Sequence, residues 1–315
     1  MRRKPPTDLA ASVRQRLLNL ARTRGEELQL VLTRYGVERL LYRLGRTSAS
    51  ERFVLKGAVL FYLWDGVPHR PTRDVDFLAY GDVSHAAMLV AFRAICSADV
   101  ELDGLTFLAD SIRVDPIRDR QEYGGIRVTL AAMLGTARIP LQVDIGIGDA
   151  VTPDARMATF PTLLEFPAPR VRAYPADTVV AEKFHAMVAL GIANTRMKDF
   201  FDVWLLSATH RFDGATLAAA IAATFYRRGT PLPEHVPLAL TDQFARDPAK
   251  QAQWRAFVER GRLRDAPTDL GLVVQRIGTF VLPATRAANG TEHFSASWIP
   301  AGEWAQGYTE DRNDG

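Results

Sequence analysis

The sequence predicts an α+β fold: a small mixed β-sheet core with flanking helices, followed by a C-terminal helical lobe. Three observations predict it. Between Phe53 and Ile147, short strand-like and helix-like runs alternate without a repeating βαβ rhythm. A proline-rich connector, with Pro153, Pro161, Pro167, Pro169 and Pro175, then interrupts the chain. Beyond it, apolar residues recur at helical spacing almost to Leu282. The expected organisation is residues 1–50 as N-terminal helices, 51–175 as the core, 176–283 as the helical lobe and 284–315 as a tail.

Each element follows from local pattern. Leu9, Val13, Leu17 and Leu20, and later Val37, Leu40, Leu41 and Leu44, place a helical pair within residues 7–46. Phe53-Val54-Leu55 is a short apolar strand ending in Lys56-Gly57, and the run after Ala58 suits a helix. Residues 65–73 form a polar loop with two prolines, and Asp74 to Tyr80 a strand. Ser84 to Cys96 suits a helix. Residues 106–114 and 126–133 read as strands, with a turn at Gly124-Gly125. The clearest strand ends at Ile147: Leu141, Val143, Ile145 and Ile147 face one way, Gln142, Asp144 and Gly146 the other. Amphipathic helices begin at Pro175 and Arg196, and further helices are expected near 214–227, 248–261 and 267–281. The tail has weak periodicity and is expected to be poorly ordered or a surface strap.

Composition narrows the class. With 315 residues, 47% hydrophobic and 24% charged, the chain can bury one large core or two modest ones. No apolar run approaches the ~20 residues that span a bilayer, and the basic N-terminus lacks a secretory apolar stretch. The expectation is a cytoplasmic monomer. Cys96 is the single cysteine, so internal disulfides and cysteine metal clusters are excluded, and it reads as a small buried hydrophobe. A net charge of +3 permits a polyanionic partner without demanding one. Arginine-rich stretches near 113–127 and 156–172 are candidates to follow a phosphate backbone.

The chemistry centres on Asp74-Val75-Asp76. On a strand, alternate residues share a face, so the two carboxylates lie about 7 Å apart at Cα. They repel unless a cation sits between them, and Mg²⁺ favours one or two carboxylates with phosphate oxygens and water. Alone, such a pair is common. Lys56-Gly57 upstream adds a glycine between strand and helix, where backbone N–H groups can approach phosphate. Asp144 interrupts an otherwise apolar strand, as a third metal-facing acid or on an exposed face. In the lobe, Asp199 and Asp202 share a helix face among Phe200, Phe201, Val203 and Trp204, so that face is either solvated or cleft-lining. Lys183 sits mid-helix among apolar neighbours, placed either to snorkel or to reach a phosphate.

Taken in order, Lys56-Gly57-Ala58, Thr72-Arg73-Asp74-Val75-Asp76-Phe77, Gln142-Val143-Asp144-Ile145, Ala181-Glu182-Lys183-Phe184-His185-Ala186 and the run from Arg196 to Leu206 closely resemble the AbiEii/AbiGii-type nucleotidyltransferase toxins. That family, which includes MenT-like toxins, belongs to the DNA polymerase β-like nucleotidyltransferase superfamily. The resemblance covers about residues 50–210. It departs at Ala58, where the family usually carries a second glycine.

The resemblance implies a nucleotidyltransferase core and a Mg²⁺-dependent transfer of a nucleoside monophosphate from an NTP. Asp74, Asp76 and Asp144 would ligate the metal, with Asp144 also a candidate general base. Lys183 would contact the triphosphate, and Asp202 with Asp199 would complete the site on the helical lobe. Lys56, Gly57, Thr72 and Arg196 would contact nucleotide or phosphate. A modified Thr72 hydroxyl would sit beside the metal, which marks it as a candidate for self-modification or for antitoxin action. The implied acceptor is RNA, notably the tRNA 3′ end, with growth arrest as the outcome and a cognate antitoxin as partner. Nucleotidylation of a protein and a non-catalytic GTP- or NTP-binding module remain open. A phosphatase built on an Asp-x-Asp pair is disfavoured, because Pro71-Thr72-Arg73 precedes the first Asp where an apolar strand is needed.

Overall fold

A computed structural model describes residues 8–72, 74–117, 124–263, 265–290, 294–300 and 302–306. The chain divides into two compact units, residues 1–148 with 156–174, and residues 149–155 with 175–315.

The first unit is built on a seven-stranded mixed sheet, larger than the sequence suggested. Its strands are β1 (Phe53–Lys56), β2 (Asp74–Ala79), β3 (Leu105–Ile117), β4 (Gly125–Leu134), β5 (Ala137–Ile147), β6 (Arg156–Thr159) and β7 (Arg170–Ala173). They lie in the order β3-β4-β5-β2-β1-β7-β6. β2 runs parallel to β5, and β1 parallel to β7; the other neighbours are antiparallel. The central strands are buried on both faces over part of their length: Val54, Leu55, Val75, Leu78, Val143 and Ile145 are almost wholly enclosed. At the expected turn, residues 118–123 lie outside the described ones, Gly124 precedes β4 and Gly125 opens it.

Helix α1 (Leu9–Arg24) starts at Asp8, whose carboxylate accepts the Ala11 N–H at 2.9 Å, and stops at Gly25 in the left-handed region. Helix α2 (Leu28–Leu44) lies against β5 and β7. Its apolar stripe carries buried charges that repetition of leucine did not reveal. Arg43 holds Asp103 through two bonds of 2.6 and 3.1 Å. Glu38 accepts the Leu163 N–H at 2.6 Å, and Arg39 donates to the Pro167 carbonyl at 2.8 Å. These bonds pin two long loops to one helix, because each buried charge needs its partner. Helix α3 (Val59–Asp65) follows β1, and α4 (His85–Cys96) is capped by Ser84. Cys96 is partly buried, and burial pushes its thiol up to about 11, which suits packing rather than reaction.

The second unit contains α5 (Ala176–Leu190), α6 (Met197–Thr209), α7 (Gly214–Arg227), α8 (Asp242–Arg246), α9 (Pro248–Gly261) and α10 (Leu270–Ala288). α5 packs on α6 and α7, and α10 on α6 and α7. Residues 149–155 join this unit rather than the sheet core where the sequence placed them. Thr178 ties them down, accepting from the Thr152 N–H at 2.9 Å and donating to its carbonyl at 2.8 Å.

The expectation for the tail is corrected for the described residues between 284 and 306; residues 307–315 lie outside the described ones. α10 continues through Pro283 to Ala288, across the boundary set at residue 283. Strands β8 (Phe212–Asp213), β9 (Ala296–Ile299) and β10 (Glu303–Gln306) form a second sheet. Trp298 is fully buried and donates to the Ser207 carbonyl at 2.7 Å, while Arg276 donates to the Ser207 and Pro300 carbonyls. Two tryptophans and a paired arginine anchor this segment; the pattern was too short for periodicity to show it. Among the described residues no helix is long and apolar enough to cross a membrane.

Candidate active site

Strand pairing brings the acids together. β2 and β5 run parallel with Asp76 directly opposite Asp144, and Asp74 shares their face two residues away. One carboxylate oxygen from each of Asp74, Asp76 and Asp144 lies within 4.8 Å of the others. That is the size of a site for a small hard cation bound by oxygen. Like charges at this spacing need a counter-charge, so the donor set fits a divalent ion. All three side chains are half-buried, accessible to a ligand.

The register extends the row across four strands. Lys56 on β1 stands opposite Asp76, and Arg127 on β4 opposite Asp144. In strand order the row reads Lys56, Asp76, Asp144, Arg127: two acids flanked by two cations. Arg127 grips Asp144 with Nε to Oδ1 at 2.8 Å and Nη2 to Oδ2 at 2.7 Å. Such a bidentate pair is geometrically specific. Gln142 adds a longer bond to the same carboxylate at 3.3 Å. The Lys56 ammonium lies 5.1 Å from the Tyr174 ring centroid.

Gly57 makes the row possible. It has φ of 75°, and an added Cβ would stand 2.7 Å from Asp76 Cγ and 2.8 Å from its Cβ. Glycine is required here twice, for the backbone conformation and for the close approach. Thr72 donates its hydroxyl to Asp74 Oδ1 at 2.8 Å, orienting that carboxylate.

The second unit holds the other expected residues. Lys183 on α5 donates to Asp199 Oδ1 at 2.7 Å and contacts Asp202 Oδ2 at 2.8 Å. Arg196 Nε lies 2.7 Å from Asp199 Oδ2. Asp199 and Asp202 are fully buried, so the solvated helix face allowed by sequence is excluded. Two cations thus stand against two anions in this cluster. The structure therefore assembles Lys56, Gly57, Thr72, Asp74, Asp76 and Asp144 in one unit, and Lys183, Arg196, Asp199 and Asp202 in the other.

Sequence reasoning missed Arg127. A signal existed: β4 and β5 are joined by the two residues Gly135-Thr136, and counting back from that turn sets Arg127 against Asp144. It also offered the arginine-rich stretches as candidates to follow a phosphate backbone, beside the reading as ordinary solvated arginine. Arg127 is bound to Asp144, Arg172 donates to the Glu51 carbonyl at 3.0 Å, and Arg113 to the Ile112 carbonyl at 2.9 Å; residues 118–123 lie outside the described ones. Arg127 and Arg172 thus serve the fold and the acid row.

A strand-borne acid triad that could hold a metal ion stands beside a glycine turn, and comparison supplies the family. Residues 39–276 match the family model described as nucleotidyl transferase AbiEii toxin, type IV toxin–antitoxin system. The chain belongs to that family. Among solved structures, a candidate nucleotidyltransferase from H. pylori aligns at 18% identity and TM-score 0.44, over 81% of this chain and 94% of that one. The protein JHP933 from Helicobacter pylori aligns at 17% identity and TM-score 0.46, over the same shares of 81% and 94%. No curated protein sequence matches this chain.

Proposed function

We propose that this chain is a Mg²⁺-dependent nucleotidyltransferase toxin. It transfers a nucleoside monophosphate from an NTP to a hydroxyl of RNA, with the tRNA 3′ end as acceptor, and thereby blocks translation and growth until a cognate antitoxin acts. The observation that carries the reading is the triad of Asp74, Asp76 and Asp144, with oxygens within 4.8 Å on two paired strands. Family membership supplies the reaction class.

In the reaction the acceptor oxygen bonds to the α-phosphorus. The bond from that phosphorus to the β-bridging oxygen breaks, pyrophosphate leaves and the hydroxyl proton is lost. Mg²⁺ held by Asp74, Asp76 and Asp144 would supply charge stabilisation to this transfer. Asp74 and Asp76 serve as its ligands, Asp74 oriented by Thr72. Asp144 is the third ligand; both its oxygens accept from Arg127, so it takes a proton as general base only once that pair opens. Lys56 places positive charge beside Asp76, where a phosphate oxygen is to be held. Lys183, fixed by Asp199 and Asp202, is assigned to the triphosphate on the family resemblance, with Arg196 beside it.

The test incubates the protein with each α-labelled NTP, Mg²⁺ and either total RNA or total protein. Label in the RNA fraction supports the proposal. Label only in protein replaces it with protein nucleotidylation, and NTP binding without pyrophosphate release with a non-catalytic module.

A further inference from the structure

Asn194 is an uncharged polar residue wholly buried in the second unit, between α5 and α6. Each of its polar groups is engaged. The carboxamide oxygen accepts the Arg196 N–H at 2.8 Å, and the carboxamide nitrogen reaches the Ala186 carbonyl on α5 at 3.5 Å. The backbone N–H donates to the Gly191 carbonyl at 3.2 Å, and the backbone carbonyl accepts from the Lys250 ammonium at 2.9 Å. Lys250 is itself buried on α9, where it also meets Gln253 at 3.5 Å and the Phe244 ring. A buried ammonium is costly without partners, so α9 fixes this carbonyl in place.

The bond from Asn194 acts on Arg196. Arg196 turns the chain into α6 with φ of −84° and ψ of 63°, and the Met197 N–H closes the bend on the Thr195 carbonyl at 3.0 Å. This is an inverse γ-turn centred on Arg196. Asn194 holds the Arg196 N–H, and the Asp199 N–H donates to the Arg196 carbonyl at 2.8 Å, so both backbone groups of Arg196 are fixed. An asparagine oxygen bonded two residues ahead is a common means of fixing such a bend. The direction of the Arg196 side chain follows from it. Arg196 is also the more open cation of its cluster, with its side chain 40% exposed against 13% for Lys183. Its enclosed Nε faces Asp199 Oδ2 at 2.7 Å. Among the described residues its Nη1 and Nη2 take no acceptor, and neither is enclosed. A guanidinium held at one edge and open at the other suits phosphate oxygens.

We infer that Asn194, braced by Lys250, is a positioning residue: it holds Arg196 so that the open edge of the guanidinium receives phosphate oxygens of the NTP. The inference rests on the nucleotidyl-transfer reading. Asn194 touches no substrate and acts only through Arg196.

The test compares wild type, Arg196→Gln, Asn194→Ala, the double variant, and Asn194→Asp, which keeps an acceptor oxygen for the Arg196 N–H. Calorimetry measures affinity for inorganic tripolyphosphate with Mg²⁺. Transfer of α-label measures KM and kcat for the NTP, and melting curves report folding. Arg196→Gln and Asn194→Ala are each expected to weaken tripolyphosphate binding and raise KM about tenfold, with kcat changed less. The double variant is expected to be no worse than Arg196→Gln, because the two residues act as one unit. Asn194→Asp is expected to recover most of the loss. A residue that only stabilised the fold would lower the melting temperature and leave KM unmoved. Folded Asn194→Ala with wild-type affinity and KM overturns the inference, as does Arg196→Gln without effect or additive loss in the double variant. Should Asn194→Ala fail to fold, Lys250→Met takes its place, since an apolar replacement for a buried ion is often tolerated. A tripolyphosphate Kd raised about threefold then supports the inference, and an unchanged Kd overturns it. If transfer occurs and every variant matches wild type, the positioning role fails and the transfer reading stands. If the variants lose tripolyphosphate binding together but no label is ever transferred, the positioning role stands and the transfer reading fails.

Discussion

The carboxylate of Asp76 occupies the space that a Cβ at position 57 would need, with Asp76 Cγ only 2.7 Å from that point. Gly57 also holds φ at 75°, a conformation that other residues adopt at a cost. The strand-to-helix turn and the metal-facing acid are therefore one device. Gly57→Ala must either bend the turn or swing Asp76 away. The expected outcome is a loss of transfer of about a hundredfold, since displacement by an ångström is enough. Stability is expected to fall by about 1–2 kcal/mol. Turnover and chemical denaturation of the same preparation check both.

Asp74→Ala and Lys183→Ala are expected to abolish transfer for different reasons. The first removes a ligand from a half-buried triad, so the melting temperature should change little while Mn²⁺ binding is lost. The second removes the cation that Asp199 and Asp202 share and leaves two buried carboxylates facing Arg196, so a loss of about 3–5 kcal/mol is expected as well. Lys183→Arg, which keeps the cation, should restore stability more than activity. Full activity in soluble Asp74→Ala contradicts the assignment.

Arg127 and a metal ion compete for Asp144, because both oxygens of that carboxylate accept from the guanidinium. Arg127→Met is expected to raise Mn²⁺ affinity about fivefold, matching a pair worth at most about 1 kcal/mol at this exposure. Calorimetric titration of the metal-free protein gives the answer. A weaker affinity would show that Arg127 helps to build the metal site rather than guarding it.

His185 gives the second unit a defined acid sensitivity. Its Nε2 faces the Thr230 hydroxyl at 2.8 Å and its Nδ1 the Arg228 guanidinium at 3.2 Å. Arg228 can only donate, so Nδ1 accepts and Nε2 carries the proton. Burial, then the Arg228 charge, lowers the His185 pKa from 6.5 to about 4, while Asp149 opposes them. The folded state thus binds fewer protons than the unfolded state between these values. The contribution is fully present above about pH 6.5 and is lost as pH falls toward 4. It amounts to at most about 3 kcal/mol. Urea unfolding at stepped pH should show a shallower acid slope in His185→Gln than in wild type.

Trp298 should be essential to the second unit. It is fully buried and bonded to the Ser207 carbonyl, and its ring lies 4.9 Å from that of Phe280. Trp298→Ala is expected to cost about 3–5 kcal/mol, read by thermal and urea unfolding. A change below 1 kcal/mol would return this segment to the surface strap that its composition suggested.

Much of this was legible in sequence, for physical reasons that differ by element. Helices α7 and α9 were readable because apolar spacing and caps agree; Asp247 and Pro248 open α9, for example. The pair Asp74 and Asp76 was visible because two residues on one strand share a face. Its link to Asp144 was only an inference, because strand pairing is non-local. Arg127 was missed for the same reason, and so was the burial of Asp199 and Asp202, which depends on the helix that packs over them. The tail was misread because β9 and β10 are four residues each, too short for periodicity, and are held by Trp298 and Arg276.

The central claim is that the triad directs attack on the α-phosphate. Its most direct test is a paired reaction with NTP labelled at the α- or the γ-phosphate, run with RNA, Mg²⁺ and either wild type or Asp76→Asn. The account predicts that α-label enters RNA, that γ-label leaves in pyrophosphate in equal amount, and that Asp76→Asn does neither. Transfer of γ-label to any acceptor, or unchanged α-transfer by Asp76→Asn, would contradict it.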